Sequence, residues 1–283
     1  MNTPSLKTLP GACDCHMHIY DGRFPLAPNE RLEEPEAPVS EYCKVQSRLG
    51  LERVVVVQST AYGKDNSCVL QAMEDLGEGA RGIAIVDDTV SDAELERLTR
   101  AGMRGVRFRM LDTPVLPWEM LPKLAPRLAE CGWHVQFQMD GRYLHEREDL
   151  LKSLPCTLVI EHVGKFLEPV PPQHPGFQTL LRLVDTGRCW VKLSAVYMMS
   201  KVGPPLYGDI GILAKELVRR APERMIWASN WPHPLRNRSP NLDEAVLLDL
   251  LLDWAPSEKD RNRILVTNPA ELYGFSAPPR AAQ

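Results

Sequence analysis

The sequence predicts an α/β protein: a single (β/α)8 barrel of the TIM type. Three observations carry that prediction. Eight short strand-like runs recur along the 283 residues, separated by helical patterns. The length is near that of one such barrel. No G-x-G-x-x-G turn follows the first run and no Walker loop occurs, so the signatures of a nucleotide-binding doubly wound sheet are missing.

Each element has a local reason. The first strand lies within Ala12–Tyr20. Asp21–Val39, rich in proline and acids, reads as a loop across one mouth of the fold. Ser40–Gly50 is helical and stops at its glycine. Arg53–Ser59 carries four consecutive valines, as a strand buried on both faces does. Asp65 or Asn66 caps a helix with Val69, Leu70, Met73 and Leu76 on one side. Arg81–Asp87 is the third strand, and Ser91-Asp-Ala-Glu94 is a capping box before a helix with Leu95 and Leu98 inward. Arg104–Met110 is a strand, and Trp118–Cys131 a helix that Pro122 and Pro126 interrupt. His134–Asp140, Leu158–Gly164, Cys189–Ala195 and Arg224–Asn230 complete the strands. Leu144–Leu154, Phe177–Val184, Ile210–Arg220 and the stretch from Asn241 are helical. Residues 1–10 read as an extension, 11–275 as the barrel and 276–283 as a frayed tail.

A formal net charge of −4, with no basic run, argues against a nucleic-acid or membrane partner. Seven scattered cysteines without a Cys-x-x-Cys read as reduced thiols, and the expected compartment is the cytoplasm. Residues 1–10 resemble neither a signal peptide nor a membrane anchor. A homo-oligomer is compatible with the sequence.

In a barrel of this type the active site lies at the C-terminal ends of the strands, and that rule selects the candidates. His16 and His18, two apart on one strand, project to the same face, with Met17 and Ile19 opposite. Such a pair can ligate a metal, move protons or hold an anion. Strand two offers Gln58 and Thr60, strand four Arg107 and Arg109, strand five Gln136 and Gln138, and strand six His162. Strand seven offers Lys192 and Ser194, with Tyr197 beyond. Strand eight offers Asn230, followed by Trp231-Pro-His233. Two inward arginines need anions. A substrate carboxylate is one source, and an internal acid, Glu161 or Asp140, the other. Lys192 and Lys165 read equally as surface charges or substrate contacts. His134 reads as structural, and His145 and His174 as solvent-facing.

Cys-His-Met-His-Ile-Tyr on strand one, Ile-Glu-His162-Val-Gly-Lys on strand six and Trp227-Ala-Ser-Asn230-Trp-Pro-His233 on strand eight resemble the amidohydrolase superfamily, in particular its lactone-processing branch. The resemblance runs from Gly11 to Phe275. It implies a distorted (β/α)8 barrel. In metal-using members a strand-one His pair, a His on strands five and six and an Asp on strand eight build the centre. Here strand five has glutamines, strand eight has Asn230, and strand four has no lysine for a bridging carbamate. The resemblance therefore implies no required metal. A single Zn²⁺, if held, would sit on His16, His18 and His162.

The resemblance further implies a hydrolase of a small anionic lactone, of muconolactone, pyrone-dicarboxylate or sugar-acid type. A metal-independent lactone isomerase is the alternative. The expected catalytic residues are His16, His18, His162 and Asn230. The expected substrate contacts are Arg107, Arg109, Gln58, Gln138, Lys192, Tyr197 and His233.

Overall fold

A computed structural model describes residues 2–28, 36–111, 114–233 and 242–276. Eight parallel strands follow one another around a single sheet in sequence order. They are β1 (Cys13–Met17), β2 (Arg53–Val57), β3 (Ala80–Ala84), β4 (Met103–Arg109), β5 (His134–Gln138), β6 (Leu158–Ile160), β7 (Cys189–Leu193) and β8 (Met225–Trp227). The chain beyond β8 closes the ring: Met17 bridges Trp231, the Asn230 amide donates to the His16 carbonyl (2.9 Å), and the His18 amide donates to that of Trp231 (2.9 Å).

Helices fill the connections: α1 (Val39–Leu49), α2 (Ser67–Leu76), α3 (Asp92–Arg100), α4 (Leu121–Glu130), α5 (Glu148–Ser153), α6 (Pro175–Asp185), α7 (Gly208–Arg220), α8 (Glu244–Trp254), α9 (Glu258–Asn262) and α10 (Asn268–Tyr273). The barrel is therefore the expected one. Residues 29–35 of the expected loop and 277–283 of the expected tail lie outside the described residues.

The departures are local and have physical reasons. Asn66 precedes α2, but its amide is spent on the Ile85 backbone, and the Asp65 carboxylate instead accepts the Ser67 N–H (3.0 Å). Only half of the capping box forms: Ser91 accepts the Glu94 amide (3.1 Å), while the Glu94 carboxylate turns to Arg97. Pro122 sits in the first turn of α4, where no N–H is needed, and Pro126 is accommodated inside it. His174 is half-buried and caps α6, its ring accepting the Gly176 amide (3.1 Å).

Besides a register shift between β3 and β4 at Gly82 and Ile83, strict alternation fails within β1. Asp14 aligns with Val54 and Met17 with Val56, so three steps on β1 oppose two on β2. This is a β-bulge. Cys13 and Cys15 pack inside the barrel, with Val55, Val57 and Tyr273, while Met17 joins the layer between strands and helices. His16 follows Cys15 inward, and the imidazole pair resumes alternation above the bulge.

Asp14, buried on the outer face, holds this geometry. Its Oδ1 accepts the His16 amide (3.1 Å) and the Ser229 amide (2.9 Å), and its Oδ2 accepts the Ser229 and Tyr42 hydroxyls. Burial pushes the carboxyl pKa up, and these four donors offset it. The side chain thus ties the bulge to the segment just past β8 and to α1. Asp14→Ala leaves several buried donors unpaired, and one such group costs about 1–3 kcal/mol. Urea unfolding should show a loss of at least about 2 kcal/mol, and a variant as stable as the parent would remove Asp14 from this role.

Candidate active site

The strands end below the mouth, and the residues just past their ends turn across it. His162, Ala195 and Asn230, which follow β6, β7 and β8, all have left-handed backbones, with φ of 54°, 53° and 59°. Of these three, alanine adopts that region least readily. The tight turns aim the neighbouring side chains inward.

Beneath the mouth lies a buried charge network. The Glu161 carboxylate, fully buried, receives both arms of the Arg107 guanidinium, at 2.9 and 3.0 Å. Its Oε1 also accepts the Gln136 amide (2.6 Å). Lys192, equally buried, uses its three donors on three acceptors: the Cys15 carbonyl (2.7 Å), Gln136 Oε1 (2.6 Å) and His16 Nδ1 (3.3 Å). The cations around Glu161 hold its pKa far down despite burial. Burial lowers Lys192 to about 8, with Glu161 opposing the shift. The network holds two cations and one carboxylate.

Hydrogen-bond partners assign the imidazole tautomers. His18 Nδ1 lies 2.7 Å from the Val57 carbonyl, so it carries the proton and His18 Nε2 is an acceptor. His16 Nε2, 3.1 Å away, is then the donor between them. The hydrogen-bond partners of His16 Nδ1, Lys192 Nζ and Gln136 Nε2 (3.4 Å), are both donors, with Glu161 Oε1 farther off at 3.9 Å. The His162 ring lies 5.0 Å from that of His16, and its Nδ1 pairs with the Ser194 hydroxyl at 2.8 Å. All three rings are neutral. Burial lowers each pKa, that of His18 to about 3, helped at His16 by Lys192 and at His18 by Arg107.

A second chain of contacts runs along the β7–β8 side. Asn230 Nδ2 donates to the Tyr197 hydroxyl oxygen (2.7 Å). Tyr197 Oη lies 2.9 Å from His233 Nδ1, and His233 Nε2 lies 3.0 Å from Glu244 Oε1, at the start of α8. Arg48 holds the other Glu244 oxygen.

Several of the expected contact residues have hydrogen-bond partners within the fold. Arg107 meets the internal acid Glu161 rather than standing open to a substrate. Arg109, half-buried at the end of β4, donates to the Leu111 carbonyl (2.9 Å). Gln58 clamps the turn after β2, donating to the Gly63 and Asp65 carbonyls (3.2 and 2.7 Å). Lys192 is neither a surface charge nor at the mouth. Gln138 is buried at the end of β5, with no side-chain hydrogen bond among the described residues. His134 is buried against Tyr273, the structural placement expected of it. Asp14 and Glu244 carried no sequence signal. Asp14 works by capping a bulge, and Glu244 lies eleven residues beyond His233 with no pattern joining them.

Comparison with known proteins places this architecture. The family model "Amidohydrolase" matches residues 13–275. The chain belongs to the amidohydrolase family. It is similar to the D-galactarolactone isomerase of Agrobacterium fabrum, with 33% identity covering 94% of this chain and 92% of that one. It is similar at 33% identity, with 95% and 92% covered, to the 2-pyrone-4,6-dicarboxylate hydrolase of Comamonas testosteroni. It is also similar at 32% identity, with 94% and 89% covered, to the 4-sulfomuconolactone hydrolase of Hydrogenophaga intermedia. A crystal structure from Agrobacterium tumefaciens superposes with a TM-score of 0.91 at 31% identity, covering 97% of both chains. A zinc-bound amidohydrolase from Burkholderia multivorans shares the fold, with a TM-score of 0.75 at 16% identity, 94% of this chain and 99% of that one being covered.

Zinc in a fold relative requires a test of this donor set. Ligand atoms of His16, Glu161 and His162 lie within 4.8 Å of one another. Yet Glu161 is already neutralised by Arg107, and two buried cations share the space. A metal on His16 Nε2 would move that ring's proton to Nδ1, against Lys192 and Gln136, which are donors there. The residues do not suit a divalent ion in this hydrogen-bonded arrangement.

The neutral rings set a pH dependence. An unfolded histidine takes a proton below about pH 6.5, whereas His18 and His134 stay neutral in the fold down to about 3. The unfolded chain binds more protons in that window, so stability falls as the pH drops through it, by up to about 1.4 kcal/mol per pH unit for each ring. His134→Phe, remote from the mouth, should reduce the slope of unfolding free energy against pH by about one proton. An unchanged slope would contradict the neutral assignment.

Proposed function

We propose that this amidohydrolase opens the ring of a small anionic lactone by attack of water on the ring carbonyl, without a required metal. One observation carries the reading: neutral imidazoles at the mouth stand over a buried network with one cation in excess. That arrangement favours negative charge where the carbonyl oxygen becomes an oxyanion. Lactones named for its relatives carry carboxylate or sulfonate groups, which fit the same field.

His16 Nε2–H transfers its hydrogen bond from His18 to the carbonyl oxygen. His162, fixed by Ser194, faces the same carbon. Arg109, one strand step nearer the mouth than Arg107, receives the substrate's anionic group. Asn230 takes no proton at neutral pH, because an amide is not a base there. That residue favours a second reading, in which a hydroxyl of the substrate replaces water and the ring migrates.

The test is an NMR time course in H₂¹⁸O with D-galactarolactone, 2-pyrone-4,6-dicarboxylate and 4-sulfomuconolactone. Label in an open-chain acid is the expected result. A ring-shifted lactone without label establishes isomerisation instead, and inert substrates throughout would overturn both. Activity should survive chelation, whereas stoichiometric zinc lost together with activity would refute the metal-free reading. Arg109→Met should raise KM roughly 10- to 100-fold, the loss of charged hydrogen bonds worth about 1.5–3 kcal/mol.

A further inference from the structure

Asn230 leaves open which group moves the proton of the attacking oxygen. We infer that Tyr197, backed by His233 and Glu244, is the proton-transfer device of this site. The inference rests on the lactone reading and names a catalytic residue and two positioning residues for it.

The geometry orders the protons. Glu244 Oε1 accepts from His233 Nε2 at 3.0 Å, which places the imidazole proton there and leaves Nδ1 as an acceptor. Tyr197 Oη, 2.9 Å from Nδ1, therefore donates its proton to His233. Asn230 Nδ2, a donor only, sits 2.7 Å from the phenol oxygen. An aspartate there would compete with His233 for the phenol proton. The amide cannot, and it stabilises negative charge on the phenol oxygen. His233 and Asn230 are both buried, whereas Tyr197 is half-exposed. The histidine is thus sealed behind the tyrosine, and only the phenol can face a substrate. Arg48 fixes Glu244 from the far side.

The cycle balances without another reactant. As the nucleophile's oxygen bonds to the lactone carbon, its proton passes to Tyr197 Oη, while the phenol's own proton moves to His233 Nδ1. The imidazolium rests against the Glu244 carboxylate. When the ring C–O bond breaks, Tyr197 gives its proton to the departing oxygen, and His233 returns one to Tyr197. Hydrolysis and ring migration use the same sequence, differing only in whose oxygen attacks.

The test combines kinetics with NMR of the full-length protein. Tyr197→Phe should lower kcat by about 10²–10⁴-fold with KM little changed. His233→Asn, whose residue suits the left-handed backbone at φ 71°, and Glu244→Gln should lower kcat in the same sense. In ¹⁵N-labelled protein without substrate, an imidazole Nε2–H resonance should be present in the parent and in Tyr197→Phe, and absent from His233→Asn. Full kcat in folded Tyr197→Phe overturns the inference, as does a His233 proton found on Nδ1. If the parent turns over none of the three lactones, the lactone reading fails by itself, and the resonance still decides the proton order at His233.

Discussion

The buried pairing of Arg107 with Glu161 is the interaction on which the rest of the site depends. An unpaired charge at that depth would be prohibitively costly. Paired, the two groups set the orientation of everything above them. Glu161 directs the Gln136 amide, Gln136 presents its oxygen to Lys192, and Lys192 with Gln136 fixes the tautomer of His16. The state of one imidazole at the mouth is thus decided by a carboxylate just past β6 and a guanidinium on β4. A fold that brings strand ends from all sides to one axis makes such a relay short.

A metal centre built on the same strands would make other demands. Where a cation binds, imidazoles must turn lone pairs toward it. Here two of the cations are amino-acid side chains, covalently anchored and already hydrogen-bonded. The field they supply is permanent and directional. The cost is rigidity, because each polar group in the network has its partner assigned.

The fold was legible because parallel strands buried on both faces are nearly uninterrupted apolar runs, as at Val54–Val57, and because caps and glycines punctuate the helices. The paired projection of His16 and His18 was legible for the same periodic reason. Less could be read where a residue's task depends on a partner distant in sequence. Whether Arg107 meets a substrate or Glu161 is decided across a separation of 54 residues, and only the register of the barrel settles it. Lys192 looks like any lysine until Gln136 and the Cys15 carbonyl stand around it. The strand-like runs also extended past the true ladders, because residues that cross the mouth are as apolar and buried as those that pair.

The doubled inward step at Cys15 and His16 has a consequence for how such a protein can diverge. Side chains below it, packed on Tyr273, keep one phase of the pleat, and those above keep another. Repacking of the foundation can therefore proceed without rotating the working rim. The two ends of the opening strand are free to drift at different tempos, joined only through the carboxylate that pins the step.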